Sequence, residues 1–251
     1  TNNHMPSISI ITATYNSEAT LKETLTSVQS QILAAREVLI QDGGSTDKTL
    51  NIAKQFPSVV VRTEPDSGLY DAMNRGISRA TGDIIGILNS DDYYADASVL
   101  SDVAELFASK PHIDAVYGDL DYVQQDQPRK VVRHWQAGEG SRFRWRRGWM
   151  PPHPTFFVRR SVYDKYGTFN LSFRYAADYE LMLRLCYKHK IKLGYIPRVL
   201  VKMRTGGVSN SSLRNRLIAN QEDQRAWRIN GMPTPRGLAV TKPLLKLGQW
   251  I

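Results

Sequence analysis

Four short apolar runs, each followed by a stretch of helical periodicity, fill the chain from Ser7 to about Ser109 and restrict what it can fold into. The runs are "SISIITA", "EVLIQ", "VVVRT" and "DIIGIL", rich in the β-branched residues that suit a covered, pleated surface. After the first, Leu21, Leu25 and Val28 recur at helical spacing behind a candidate Ser17 cap. After the second, the turn "DGGST" leads into a helix carrying Leu50 and Ala53, opened by Ser45 or Thr46. "LYDAMNRGISRA" follows the third run and stops at Gly82; "ASVLSDVAELFAS" follows the fourth, with Val99, Val103, Leu106 and Phe107 on one face. Strand and helix alternating in this way predict an α/β protein with a parallel sheet covered on both faces. Ligands of such sheets sit beyond the carboxyl ends of the strands. The tips there read "TATYN", "QDGGSTD", "EPDSG" and "NSDD", so one rim of the sheet is polar, acidic and glycine-bearing.

The second half is patterned differently. "AVYGDLDYV" and "KVVRHW" read as short alternating strands, residues 136–150 as a basic aromatic loop, and "TFFVRR" as another strand. Helices are expected at "RSVYDKYG" and "DYELMLRLCYKH", strands at "KLGYI" and "VLVKMR", and a final amphipathic helix from about Ser211 to Ile229. No internal repeat or low-complexity tract occurs, and the two halves are expected to share one body. A chain of 251 residues, 41% hydrophobic, can bury a sizeable core. The single cysteine, Cys186, excludes an intramolecular disulfide framework and sits in a helical pattern that suits packing. No apolar run approaches the roughly 18 residues of a spanning helix, and no signal-like segment opens the chain, so a cytoplasmic location is expected. The opening "TNNHM" is set aside as an expected addition ahead of a start at Met5.

Lysine and arginine number 33 against 24 acidic residues, a net charge of +9, and the excess gathers after Arg129. In "RHWQAGEGSRFRWRRGWM", Arg133, Arg142, Arg144, Arg146 and Arg147 alternate with Trp135, Phe143, Trp145 and Trp149. Three readings are open: a single-stranded nucleic acid site with bases stacked on the rings, an interfacial loop at an anionic membrane, and a plain solvated loop. "GLAVTKPLLKLGQWI" also suits an interface, with Pro243 interrupting any long helix.

The tip "NSDD" ends an apolar strand with adjacent carboxylates, Asp91 and Asp92. Two like charges repel, and each resists ionising beside the other. A divalent cation reconciles them, and carboxylate oxygens select hard ions such as Mg2+ or Mn2+, which bind through one or two carboxylates plus substrate phosphates. The competing reading is a pair of caps for a helix starting near Ala95. Asp42 lies on the same rim, where it suits a hydrogen bond from a base edge or ribose hydroxyl, or the ordinary turn before "GGS". Tyr15 suits stacking on a base or packing. Neither the dinucleotide fingerprint nor the P-loop pattern occurs. His153, bracketed by prolines in "MPPHPTFF", suits contact with an acceptor or phosphate, or a structural role. "RTGGVS", from Arg204 to Ser209, reads as a glycine loop closing over a diphosphate with Arg204 adding charge, or as a simple turn.

Together "SISIITATYNSEATLKETLTSVQSQ", "EVLIQDGGSTDKTL", "DSGLYDAMNRGISRATGDIIGILNSDDYY" and "ADYELMLRL" resemble the family 2 glycosyltransferases, inverting enzymes with the nucleotide-sugar-binding fold called GT-A. The likeness covers about Ser7 to Arg204. It implies a Rossmann-like α/β fold, a mostly parallel central sheet flanked by helices with a smaller mixed second half. A nucleotide-sugar-binding half is expected over 5–110, an acceptor-binding and catalytic half of the same domain over 111–210, and a C-terminal helix with a basic tail over 211–251. The resemblance further implies that the loop around Ala13 and Tyr15 packs on the nucleobase, that Asp42 contacts the base, and that Asp91 and Asp92 serve the metal and the donor's diphosphate. Asn89 stands where the family's Asp-x-Asp motif has its first carboxylate. The family's catalytic base, an Asp opening a helix in the second half, matches Asp178 in "YAADYELMLRL"; without the resemblance Glu180 is equally available.

The expectation is therefore an inverting glycosyltransferase, hexosyl or N-acetylhexosaminyl, using Mn2+ or Mg2+ and a nucleotide-sugar donor, with uridine as the expected base. The sequence is similar to bacterial enzymes of surface polysaccharide assembly, including the colanic acid type. That likeness implies a glycan or polyprenyl-diphosphate-linked acceptor and peripheral association with the anionic inner face of the plasma membrane, and no nucleic acid partner. Sugar nucleotidyltransferases are a rival class, but "TATYNSEAT" lacks the glycine and lysine of their phosphate loop. A nucleic-acid-binding module using the Arg and Trp loop is a second rival, and it leaves the acidic strand tips unexplained.

Overall fold

The computed structural model describes residues 5–206 and 213–245. Strands β1 (Ile8–Thr14), β2 (Glu37–Asp42), β3 (Val59–Thr63) and β4 (Ile84–Ile87) run parallel, with β1 between β2 and β4 and β3 outside β2. Their register sets Thr14 beside Asp42 and Asp42 beside Thr63, so three tips end level on one rim. Side chains alternate across the sheet as a two-residue period demands. Ile11 and Leu39 enter one core with Met73 and Ile77, while Ile10 and Ile40 enter another with Leu25 and Val103. The covering helices are α1 (Leu21–Gln29), α2 (Thr49–Ala53), α3 (Leu69–Arg79) and α4 (Val99–Ser109). Gly76 lets α3 approach β1 closely, because a Cβ there would run into the Ile11 side chain.

Two helix starts differ from expectation. Ser17 gives α1 its carbonyl, which accepts the Leu21 N–H at 3.0 Å, and no side-chain cap. Helix α2 opens at Thr49 and not at Ser45 or Thr46, because the Asp47 carboxylate accepts the Thr49 N–H at 2.9 Å and its hydroxyl at 2.5 Å.

A short strand β5 (Tyr93–Tyr94) follows the fourth tip, and β6 (Ala115–Val123), β7 (Val131–Trp135), β8 (Phe157–Arg159) and β9 (Leu193–Arg204) complete the sheet. Its order is β3-β2-β1-β4-β8-β6-β9-β5, with β7 paired to β6. Strand β8 is antiparallel to both β4 and β6, so it joins the two halves and turns the sheet from parallel to mixed. The two strands expected over 192–196 and 199–204 form one, because β9 takes up Pro197 where its register with β6 shifts between Gly118 and Leu120. A proline with no N–H to pair is tolerated at such a bulge.

Residues 136–150 are not a simple loop. They contain helix α5 (Arg142–Arg146), closed by Gly148 at φ 94°, with the Gly148 N–H on the Trp145 carbonyl and the Trp149 N–H on the Arg144 carbonyl, both at 3.0 Å. This left-handed C-terminal motif reverses the chain. It buries Trp149 against Trp145, with the Trp149 Nε1 donating to the Ala137 carbonyl at 2.8 Å. Both rings are core, so neither is free to stack on bases or to sit among lipid headgroups. Phe143 is the exposed aromatic of the segment, flanked by exposed Arg142, Arg146 and Arg147.

The chain continues through a 3-10 turn (His153–Thr155), α6 (Arg160–Tyr166), and α7 (Ala177–Met182), which runs on as a π-helical stretch over Leu183–Lys188. Cys186 lies in that stretch with its thiol pKa pushed up by burial, in keeping with a packing role. Helices α8 (Leu213–Ile229) and α9 (Leu238–Leu245) follow. Pro243 lies inside α9 and leaves the Ala239 carbonyl without its usual donor; the Asn220 side chain of α8 supplies one at 3.0 Å.

Candidate active site

The first two tips are tied to each other. Ser45 Oγ accepts the Asn16 N–H at 2.9 Å, Asn16 Oδ1 accepts the Thr46 N–H at 2.9 Å, and Thr49 Oγ1 accepts the Ser17 N–H at 2.7 Å. Asn16 holds φ 47°, a left-handed conformation that asparagine tolerates. Asp42 is fully buried and accepts four hydrogen bonds, from Thr14 Oγ1, Ser45 Oγ and the Gly44 and Ser45 N–H groups, at 2.5–3.0 Å. A carboxylate has about four acceptor positions. Those of Asp42 are spent on the turn and on Thr14 of β1, so what it visibly does is shape the rim. Ala13 is 6% exposed and faces the core with Leu39 and Met73, so its methyl is not on the rim, whereas Tyr15 is 67% exposed on it. Asp66 in the third tip stands against Gly43, where a Cβ would come within 2.7 Å of its carboxylate; the sequence pattern pointed to that tip without singling out this residue.

In the fourth tip Asp92 is fully buried and Asn89, Ser90 and Asp91 are half-buried. Burial raises the pKa of Asp91, and burial together with the neighbouring charge of Asp91 raises that of Asp92 well above the ordinary carboxyl value. Asp92 Oδ2 accepts from Asn89 Nδ2 at 3.2 Å, while Asp92 Oδ1 and Asn89 Oδ1 are buried with no hydrogen-bond partner. Helix α4 opens at Val99 after Ser98, so neither aspartate caps it and the competing reading of the pair falls away. Arg204 does not reach out over the rim. Its guanidinium donates to the Asp91 carbonyl at 2.6 Å, pairs with Glu23 and lies over the Tyr93 ring, so it braces the tip from behind. Gly207, Val208 and Ser209 of the expected glycine loop lie outside the described residues.

Asp178 opens α7, as the pattern implied, and its neighbours come from far away in sequence. His153 Nδ1 stands 3.2 Å from Asp178 Oδ2, while Oδ1 accepts the Tyr179 N–H at 2.8 Å and the Tyr70 hydroxyl at 3.4 Å. Glu180 turns inward to Arg184 at 2.9 Å and to Asn230 at 2.9 Å, and is buried. That separates the two acids that the sequence left equivalent. His153 also eases the ionisation of Asp91, and the pKa of Tyr122, raised chiefly by burial, is raised further by the charges of both Asp92 and Asp178. His153 thus touches Asp178 and acts electrostatically on Asp91.

Comparison with known proteins gives the family. The family model for glycosyl transferase family 2 matches residues 9–175, more than half of the chain. The chain belongs to glycosyl transferase family 2. A PGL/p-HBAD biosynthesis glycosyltransferase of Mycobacterium bovis is 32% identical to this glycosyltransferase over 213 residues, 82% of this chain and 80% of the relative. The hyaluronan synthase of Pasteurella multocida is 29% identical over 77% of this chain, which spans 20% of that protein. Among solved structures, S. aureus TarS 1-349 in complex with UDP-GlcNAc superposes with a TM-score of 0.69 at 20% identity, over 89% of this glycosyltransferase and 65% of TarS, just under two thirds of it. The mannosyltransferase PcManGT from Pyrobaculum calidifontis, in complex with GDP-Man and Mn2+, gives 0.66 at 17% identity over 96% of this chain and 70% of that one. The curled, mostly parallel sheet is the GT-A fold.

Among the described residues no three His, Cys, Asp or Glu side chains form a metal cage, and no helix is long and apolar enough to cross a membrane. The oxygens of the fourth tip nonetheless suit a hard cation, since Asn89 Oδ1 and Asp92 Oδ1 are buried and lack hydrogen-bond partners. Such ions commonly take one or two carboxylates and complete their shell with water and substrate phosphates.

Proposed function

We propose that this glycosyltransferase is an inverting enzyme that transfers a hexosyl or N-acetylhexosaminyl group from a UDP-sugar to a hydroxyl of a glycan or lipid-linked glycan acceptor. The observation that carries the reading is His153, which stands 3.2 Å from Asp178 and eases the ionisation of the half-buried Asp91, so that the two acids are taken to face one space. One end of the space suits a leaving diphosphate and the other a hydroxyl that must lose a proton. The relative bound to UDP-GlcNAc supports uridine as the base.

In this reading Tyr15 lies against the nucleobase, Asp42 and Asp66 shape the loops that receive it, and the tip from Asn89 to Asp92 meets the diphosphate. Asp91, Asp92 and Asn89 would hold Mn2+ or Mg2+, which when bound offsets the negative charge that develops on the leaving diphosphate. Asp178 takes the proton. As the acceptor oxygen bonds to the anomeric carbon, the carbon–oxygen bond to the diphosphate breaks with its electron pair leaving on the nucleotide, and the hydroxyl proton passes to a carboxylate oxygen of Asp178. His153, the Tyr179 N–H and the Tyr70 hydroxyl fix the direction of that carboxylate. Attack opposite the leaving group inverts the anomeric centre.

The acceptor side lies in the second half with the basic excess. Phe143, 67% exposed among Arg142, Arg146 and Arg147, and the exposed Val240 and Leu244 of α9 offer an apolar and cationic surface to anionic lipid, in line with a lipid-linked acceptor at the cytoplasmic face. Segments α5 and α9 adjoin, since Gly148 packs on Lys242. The test is product stereochemistry. Incubation with α-linked UDP-sugars and a polyprenyl-diphosphate glycan is expected to release UDP and yield a β-linked product by NMR; an α-linked product contradicts the mechanism.

A further inference from the structure

Helix α7 starts without a cap of its own. Its N-cap position is Ala176, which has no side-chain acceptor, and the preceding residues leave the Arg174, Tyr175 and Ala176 N–H groups to be satisfied. All three are taken by one distant side chain. Glu222 of α8 accepts the Arg174 N–H on Oε1 at 2.8 Å, and the Tyr175 and Ala176 N–H groups on Oε2 at 2.8 and 2.9 Å. The carboxylate is buried, 8% exposed, and the segment it grips ends two residues before Asp178.

The grip is reinforced along the helix. Asn215 accepts from the Tyr175 hydroxyl at 3.1 Å, Arg225 donates to the Ser172 carbonyl at 3.0 Å, and Trp227 Nε1 donates to the Tyr179 hydroxyl at 2.9 Å. Strand β9 ends in Arg204, which holds the Asp91 carbonyl, so Arg204 and Glu222 brace the backbone next to Asp91 and next to Asp178.

We propose that Glu222 is a positioning residue for proton transfer: by binding three successive N–H groups it sets the start of α7 and thereby the direction of the Asp178 carboxylate. The proposal rests on the reading of Asp178 as the base. Charge-assisted bonds from a buried carboxylate are the stronger kind and hold a backbone segment in one geometry, and a misplacement of about 1 Å at a reacting group costs up to about 100-fold in rate. Glutamine at this position keeps one acceptor oxygen and turns an NH2 group toward N–H groups that need an acceptor.

The experiment compares Glu222→Gln, Asp178→Asn and the double variant in the full chain, measuring kcat, donor KM and calorimetric UDP affinity with Mn2+. Glu222→Gln is expected to lower kcat about 10- to 100-fold with UDP affinity unchanged, Glu222→Asp to recover part of it, and the double variant to be no slower than Asp178→Asn alone. If Asp178→Asn is inactive while Glu222→Gln turns over like the wild type, or if the two losses multiply in the double variant, the positioning role is overturned and the base reading stands. If Asp178→Asn itself retains wild-type kcat, the base reading falls and the inference with it. Should Glu222→Gln melt below the assay temperature, Glu222→Asp carries the same comparison, and a fall in UDP affinity matching the fall in kcat would assign Glu222 to stability alone.

Discussion

The two acidic ends of the site are built on opposite principles. The tip carrying Asp91 and Asp92 follows directly from a parallel strand, is desolvated, and leaves the oxygens Asn89 Oδ1 and Asp92 Oδ1 unpartnered. Asp178 is part-exposed, and its carboxylate is held by His153, Tyr179 and Tyr70. Carboxyl groups starved of donors want an outside cation and a ligand; one whose direction is set wants a mobile proton. In the proposed mechanism the difference separates holding a leaving group from receiving a proton, and each prediction bears on that separation.

The largest effect is expected at Asp178. Asp178→Asn should lower kcat by about 10²- to 10⁴-fold, the usual worth of a general base, while UDP affinity measured by calorimetry stays at the wild-type value. Loss of both together would merge the two ends. Next, Asp91→Ala should weaken UDP binding in Mn2+ by about 10- to 100-fold, since a charge-assisted contact is worth about 1.5–3 kcal/mol, and should abolish the difference between Mn2+ and EDTA.

Stability against pH sharpens the contrast at Asp92. Its folded pKa lies above the unfolded value because burial and the Asp91 charge oppose ionisation. The stability linked to it is thus complete below the unfolded carboxyl pKa and is lost as pH rises through the folded one. In EDTA, Asp92→Asn should remove that loss and raise the thermal midpoint at neutral pH, by about 2–4 °C for each kcal/mol recovered; a midpoint with the same pH dependence as the wild type would contradict the burial argument. The smallest effect is expected at Tyr70→Phe, which removes one long hydrogen bond to Asp178. It should cost kcat about fivefold, the worth of about 1 kcal/mol, and leave UDP affinity alone.

The same contrast explains what could be read in the sequence. The runs that become β1 to β4 carry their own signal, and even the edge strand Val59–Thr63, which is not fully covered, forms over the residues that the pattern marked, because a parallel strand is a local run of β-branched residues. The fourth tip was legible for the same reason. The contact of His153 with Asp178 spans 25 positions by number, and the grip of Glu222 on Ala176 spans 46; neither leaves a periodic trace. A cue did exist at α7, since "YAAD" offers no residue able to cap the helix from the N-cap position, so an acceptor had to come from elsewhere.

Residues 142–149 show the opposite failure. Arg and aromatic residues alternate there as in an exposed strand, but α5 places Arg144 and Arg147 around a helical turn and Gly148 folds Trp149 back, so burial follows the turn and not the alternation. Asp42 shows a third case. The residue ends β2 at the rim, yet three of its acceptor positions are filled by its own turn and a fourth by Thr14 of β1, which composition alone does not reveal.

The separation of the two ends is tested most directly by one calorimetric comparison: UDP titrated, with Mn2+ and with EDTA, into the wild type, Asp91→Ala and Asp178→Asn. The account predicts Mn2+-dependent binding that Asp178→Asn keeps and Asp91→Ala loses. Binding that ignores EDTA, or that fails equally in both variants, would contradict it.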